Sequence, residues 1–324
     1  MEDKFNFFDV YSEQELSSLP RYIQEHINNV YVTGKQKKTL LLPNGEHYYM
    51  GNKLNDLTGS KWTYFTNSVI NTSYSTRGDD NCGYKYRKIH PSPKPPKLLK
   101  EIIEFFTKED ELVLDYFSGV GGSLLASSMS GREAIGIELN QVYIDAYKNA
   151  SISMGYEPQK CYLGNNEDVF KKKDFLQNFE EKKASLILID PPYYNMMSKE
   201  KTGDDVQKYG AISTPFTDSK FDLGNKSEKE FWSSLKRIVT KSLSFLKDNG
   251  HVVVFSKDLQ PKGKKNNLLH AEMIEKLSSI DSLYYLGMKI WADQTAKLFP
   301  YGYPFSFVAT QIHQYILRFK KTEQ

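Results

Sequence analysis

From about residue 97 to its last strand-like run, the chain alternates short apolar runs with stretches of helical spacing, and this alternation admits few architectures. Lys97 to Phe106 (KLLKEIIEFF) carries its apolar residues at helical intervals. ELVLD (111–115) is a short apolar run closed by a glycine-rich turn, and a small-residue helix follows to about Gly131. AIGIE (134–138), CYLGN (161–165), LILID (186–190) and HVVVFS (251–256) repeat the idea, with helical spacing near 141–153 and 228–247 between some of them. YYLGMKIW (284–291) and HQYILRFKK (313–321) read as two closing strands. Strands separated by helices need crossover connections, so the expected class is α/β, a mostly parallel seven-stranded sheet covered on both faces. The last two strands have no helix between them, which predicts an antiparallel edge strand.

The first 85 residues differ: they are polar, rich in Asn and Tyr, and turn-rich (LPNGEHYY, LNDLTGSKW), without βα alternation. The expected division is an accessory region over 1–85 and a catalytic domain over 86–324. With 22 Tyr, 19 Phe and 3 Trp in 324 residues, the chain is not disordered. It has no apolar run long enough to span a membrane, and MEDKFNFFDV has no signal-peptide pattern. Cys82 and Cys161 are isolated, with neither disulfide nor metal-ligand spacing, so the expectation is a cytoplasmic protein without a metal. The net charge of +3 hides an arrangement. Residues 86–100 hold five basic and no acidic side chains, 101–190 nine against sixteen, and 191–324 twenty against fourteen. An acidic middle lies between basic segments, which excludes uniform basicity but not a nucleic-acid-facing surface.

Three motifs carry chemistry. DYFSGVGGS (115–123) follows a strand and opens a helix, and its glycines permit close backbone approach while the helix start offers free N–H groups. Glu138, at the end of the next strand, is placed to accept both ribose hydroxyl hydrogens. DPPYY (190–194) also ends an apolar strand. Its prolines fix the backbone, and an acid beside an aromatic can hold an amino group while a ring stacks on the heterocycle. HPSPKPPKLL (90–99) alone would read as a proline-rich linker.

Together these residues resemble the S-adenosylmethionine-dependent amino-methyltransferases of DNA, the adenine-N6/cytosine-N4 family of D-P-P-Y type. Asp115 to Gly121 matches the D-x-F-x-G-x-G cofactor motif, Asp190 to Tyr193 the D-P-P-Y motif, and His90 to Pro95 the H-P-x-x-K-P element, over roughly residues 86–321. The motif order is gamma-like, with the glycine-rich motif before D-P-P-Y. The resemblance implies a Rossmann-like methyltransferase fold, S-adenosyl-L-methionine as cofactor and double-stranded DNA as substrate, with an endonuclease or specificity partner as a companion. Target recognition is then left to residues 1–85, to the 195–226 loop, which could close over a flipped base, or to that partner. The resemblance assigns catalysis to Asp190, Pro191, Pro192 and Tyr193. It assigns the cofactor to Lys94 (near the methionine portion), Pro95, Asp115, Phe117, Ser118, Gly119, Gly121, Glu138, Leu139 and Asn165. Asn165 would face the adenine edge, though it reads equally as a turn residue.

Candidates for nucleic-acid contact are Trp62, Tyr64 and Arg77 in the front region, Tyr194 beside the tetrad, and Lys257, Lys262, Lys264 and Lys265 around a Pro-Gly loop. His313 reads as a packed histidine and Lys171 to Lys173 as a solvated face. The expected reaction is methylation of adenine N6. Cytosine-N4 methylation is the rival within the class, where Ser more often stands in place of Asp190. A non-catalytic recognition subunit is the rival outside it, and two intact motifs argue against that.

Overall fold

The computed structural model describes residues 4–74, 82–194, 217–258, 268–300, 303–305 and 309–323. Its centre is built by two short, deeply buried runs: β6 (Leu112–Asp115) and β9 (Ala184–Ile189) are buried at every position. A strand buried on both faces must have strands beside it and helices above and below. β7 (Glu133–Glu138) and β8 (Lys160–Leu163) extend the sheet on one side of β6. β10 (Leu246–Ser256), β12 (His313–Lys321), β11 (Leu283–Asp293) and β5 (Val69–Thr72) extend it beyond β9, giving the order β5-β11-β12-β10-β9-β6-β7-β8. The pairings are parallel except those of β12, which runs against both β10 and β11.

The class is as expected, but two particulars of the sheet differ. Among the described residues the sheet has eight strands, because β5 from the first 85 residues pairs with β11 through Val69↔Ile290 to Thr72↔Asp293. The antiparallel strand is internal. Burial gives the reason: Ile316, Leu317 and Phe319 of β12 are at most 3% exposed, whereas β11 leaves Tyr284, Leu286 and Met288 in solvent. The strand with more apolar surface to hide takes the place nearer the sheet's centre, and β11 lies between it and β5.

The Pro96–Phe106 helix starts at a proline, which lacks the N–H that a first turn cannot use, and buries Leu98, Leu99, Ile102, Ile103, Phe105 and Phe106. Each such side chain contributes roughly 1.5–3 kcal/mol of burial. With the Gly122–Ser128 and Gln141–Ser153 helices it covers one face of the sheet. The Glu228–Ser242 and Leu269–Ser278 helices, with Phe170, Phe175 and Phe179, cover the other.

The front region divides between two cores. β1 (Phe5–Asn6), β2 (Tyr31–Thr33), β3 (Thr39–Leu41) and β4 (His47–Tyr49) form a small antiparallel sheet over Phe7, Ile23, Val32, Leu40 and Tyr48. Asn44-Gly45, with Gly45 at φ 84°, turns β3 into β4. Residues beyond this join the main body: Phe65 stacks on Phe105 at 3.9 Å, and Asn55 donates to the Phe105 carbonyl at 2.7 Å.

The topology locates the site. After β8 the chain returns to the far side of β6 to form β9, so the crossovers from β6 and β9 part at their carboxyl ends. Such switch points in parallel sheets open a crevice. The glycine-rich motif follows β6 and D-P-P-Y follows β9.

Candidate functional site

The glycine-rich turn is a backbone device. Asp115, 5% exposed, accepts the Phe117 N–H at 2.9 Å and the Ser123 hydroxyl, tying the turn to the helix it opens. Gly119 and Gly121 have φ of 51° and 67°. A Cβ on Gly121 would lie 2.1 Å from the Tyr147 ring, so this glycine is required by packing beneath the turn; it does not line the cavity. Glu138 accepts three backbone N–H groups, from Gly119 at 2.8 Å and from Leu139 and Asn140 at 2.9 Å. Burial pushes the Asp115 carboxyl up to about 7 and raises that of Glu138, against the hydrogen bonds that lower both.

Across the crevice, Asp190 directly follows β9, with its side chain 29% exposed and paired to Lys94, whose Nζ donates to Oδ2 at 2.6 Å. The Tyr193 hydroxyl donates to the Phe255 carbonyl at 3.3 Å, and burial raises its phenol well above the ordinary value. Pro191 and Pro192 form the wall between them.

A single cavity of about 330 Å³ joins the two motifs, within the range of roughly 300–1,000 Å³ usual for ligand pockets. It is lined by Lys94, Asp115, Phe117, Ser118, Gly119, Glu138, Leu139, Asn165, Asp190, Pro191, Pro192, Tyr193 and Lys257, residues 163 positions apart at the extremes. Its chemistry fits a cationic ligand rich in hydrogen-bond donors. Asp115 and Glu138 form no salt bridge among the described residues, and the buried Asn166 Oδ1 has no protein partner there. Buried acceptors of this kind carry a desolvation cost that a ligand with positive charge and N–H or O–H groups would offset. S-adenosyl-L-methionine has these features.

The remaining expectations divide. Pro95 is buried at the start of the Pro96–Phe106 helix and does not line the cavity. Tyr194, expected at the nucleic acid, is instead 8% exposed and packs on Phe231 at 5.4 Å; its ring fills the core under the tetrad. Lys257 faces the cavity, where burial and the nearby Lys94 lower its pKa, rather than an outer surface. Trp62 leans on Phe105 at 5.1 Å, while Tyr64 is 66% exposed, and neither lines the cavity. Arg77, Lys262, Lys264 and Lys265 lie outside the described residues, as does most of the 195–226 loop.

Sequence reasoning missed Arg87, His90, Tyr143 and Asn166. Arg87, 2% exposed and lowered to about 10 by burial, donates to the Val120 carbonyl at 3.1 Å and to the Lys94 carbonyl at 2.8 Å. His90 meets Tyr143 edge-on at 5.0 Å, and burial, with Lys94 and Arg87 nearby, pushes it down to about 3, so it is neutral at physiological pH. Only His90 had a signal in the sequence, as the first residue of the proline-rich motif.

The sequence profile of the DNA methylase family (N6_N4_Mtase) matches residues 11–149, which takes in most of the front region and the glycine-rich turn but stops short of Asp190. The type II methyltransferase M.HindIII of Haemophilus influenzae is 38% identical over 73 residues, covering 22% of this chain and 23% of that protein. M.HpaI of Haemophilus parainfluenzae is 28% identical over 132 residues, covering 36% of this chain and 42% of that protein. The chain thus spans less than half the length of these curated relatives. The cofactor motif, the D-P-P-Y tetrad and these matches agree in likening the chain to the N6/N4 family of DNA methylases.

Proposed function

We propose that this protein transfers a methyl group from S-adenosyl-L-methionine to the N6 amino group of adenine in double-stranded DNA. The observation that carries the reading is the opening of both motifs onto one cavity at the sheet's switch point, with buried Asp115 and half-buried Glu138 on one wall and Asp190 on the other. The cofactor supplies an electrophilic methyl group when bound. Glu138 and the Gly119 turn hold its nucleoside part, Asp115 faces its positive charge, and Asn165 or Asn166 meets its adenine edge.

An exocyclic amine is a weak nucleophile because its lone pair is delocalised into the ring. The Asp190 carboxylate and the Pro191 carbonyl accept its two N–H bonds, which favours a pyramidal nitrogen with its lone pair free to attack in line. Orientation and preformed acceptors supply most of the catalysis. The target atom is out of reach inside a duplex, so the base is flipped into the cavity, where the Tyr193 ring, fixed through its hydroxyl, stacks on it. No helix among the described residues is long and apolar enough to cross a membrane.

Methylation-sensitive long-read sequencing of DNA from cells expressing the protein tests this. N6-methyladenine at a recurrent short sequence is expected. N4-methylcytosine would move the assignment to the other amine of the family, and unmodified DNA beside demonstrated cofactor binding would refute the enzyme reading.

A further inference from the structure

We propose that Lys94 is a positioning residue for Asp190: its ammonium holds Oδ2 and so leaves Oδ1, with the Pro191 carbonyl, as the acceptors presented to the incoming amine. This rests on the methyltransferase reading above and reassigns a residue that the family resemblance placed beside the methionine portion of the cofactor.

Nζ lies 2.6 Å from Oδ2, a charge-assisted contact, with the lysine side chain only 11% exposed. An aspartate χ2 is a broad, two-fold torsion, so an unheld carboxylate would present either oxygen over a range of angles. Pairing one oxygen with a fixed cation removes that freedom before the base arrives.

The cation is fixed because its backbone is. Arg87 binds the Lys94 carbonyl with one nitrogen and the Val120 carbonyl of the glycine-rich turn with another. The segment presses closely on the start of the next helix: a Cβ on Gly122 would meet Arg87 Nη2 at 3.1 Å and the Lys94 carbonyl at 3.3 Å. The ammonium also sits 5.0 Å from the centre of the Phe255 ring, which favours a cation in that place. Arg87 and Lys94 therefore link the glycine-rich turn in series to Asp190, 96 positions beyond Lys94.

Lys94→Met keeps the stem and removes the charge. Cofactor Kd by calorimetry, and kcat and KM for DNA at saturating cofactor, are measured beside wild type. The expected result is a kcat lowered by about 10- to 100-fold with cofactor Kd nearly unchanged. Lys94→Ala should regain part of its kcat when propylammonium is added, a rescue that a merely structural role would not give, and it serves if the methionine variant fails to fold. A cofactor Kd weakened about tenfold or more with kcat intact would return Lys94 to the cofactor site. A raised kcat would show it obstructing the amine, and either result overturns the proposal. If wild type binds cofactor yet never methylates DNA, the methyltransferase reading falls and takes this one with it. If wild type methylates and Lys94→Met does so equally, only the positioning role falls.

Discussion

The two walls of the cavity are built by different means. On the wall of the glycine-rich turn, the acids are held mainly by groups near them in sequence: Glu138 by the N–H groups of Leu139 and Asn140, with that of Gly119 from the neighbouring turn, and Asp115 by the Phe117 N–H and the Ser123 hydroxyl of its own turn. On the D-P-P-Y wall, Asp190 is held by a side chain from a distant segment, and Tyr193 by a carbonyl 62 positions away. The first wall follows from local geometry and survives as long as the turn does. The second exists only once the whole sheet has assembled, so single side-chain changes should act on it selectively.

The largest effect expected is that of Asp190→Ala, which should lower kcat by about 1,000-fold while cofactor Kd, measured by calorimetry, stays near wild type. Loss of both would mean that the walls are not independent. Next, Tyr194→Ala should cost about 3–5 kcal/mol of stability in denaturant titration, as the loss of a buried ring does. In Tyr194→Phe, the salt dependence of DNA binding should not change, because the ring faces the core rather than phosphate. Gly121→Ala should cost about 3 kcal/mol, from its left-handed backbone and the collision with Tyr147, whereas Gly119→Ala should cost about 1 kcal/mol. Gly119 lines the cavity, so its substitution should act mainly on cofactor Kd. A reversed order of the two glycines would contradict the packing assigned to each.

The smallest effect concerns pH. Burial raises Asp115 from its ordinary 3.8 to about 7, so the folded protein keeps a proton there that the unfolded chain has lost. This contribution to stability is fully present below about pH 4 and fades as pH rises toward 7. In thermal melts of the ligand-free protein from pH 5 to 8, Asp115→Asn should therefore show a shallower decline than wild type. Glu138 is raised in the same sense and leaves a residual slope.

The same contrast explains what the sequence revealed. The strands, the parallel class and both motifs could be read because apolar runs and glycine turns are local patterns. The small sheet over Phe7 and Tyr48 could not, since strands of two or three residues are too short for period-two alternation to register. The internal place of β12 depends on a comparison of burial between two strands that no single window contains. On the site, the lining residues of the two motifs were legible. The Lys94 contact, the Arg87 strap and the burial of Tyr194 were not, because each depends on residues that only the fold brings together.

In the proposed function both walls serve one reaction on an exocyclic amine of DNA. Duplex DNA of mixed sequence, incubated with the protein and S-adenosyl-L-methionine labelled in its methyl group, then digested to nucleosides and resolved by mass, tests it most directly. Label is expected in N6-methyladenine, present with wild type and lost with Asp190→Ala. Label that persists in the Asp190→Ala reaction, or no labelled nucleoside from a wild-type protein that binds the cofactor, would contradict it.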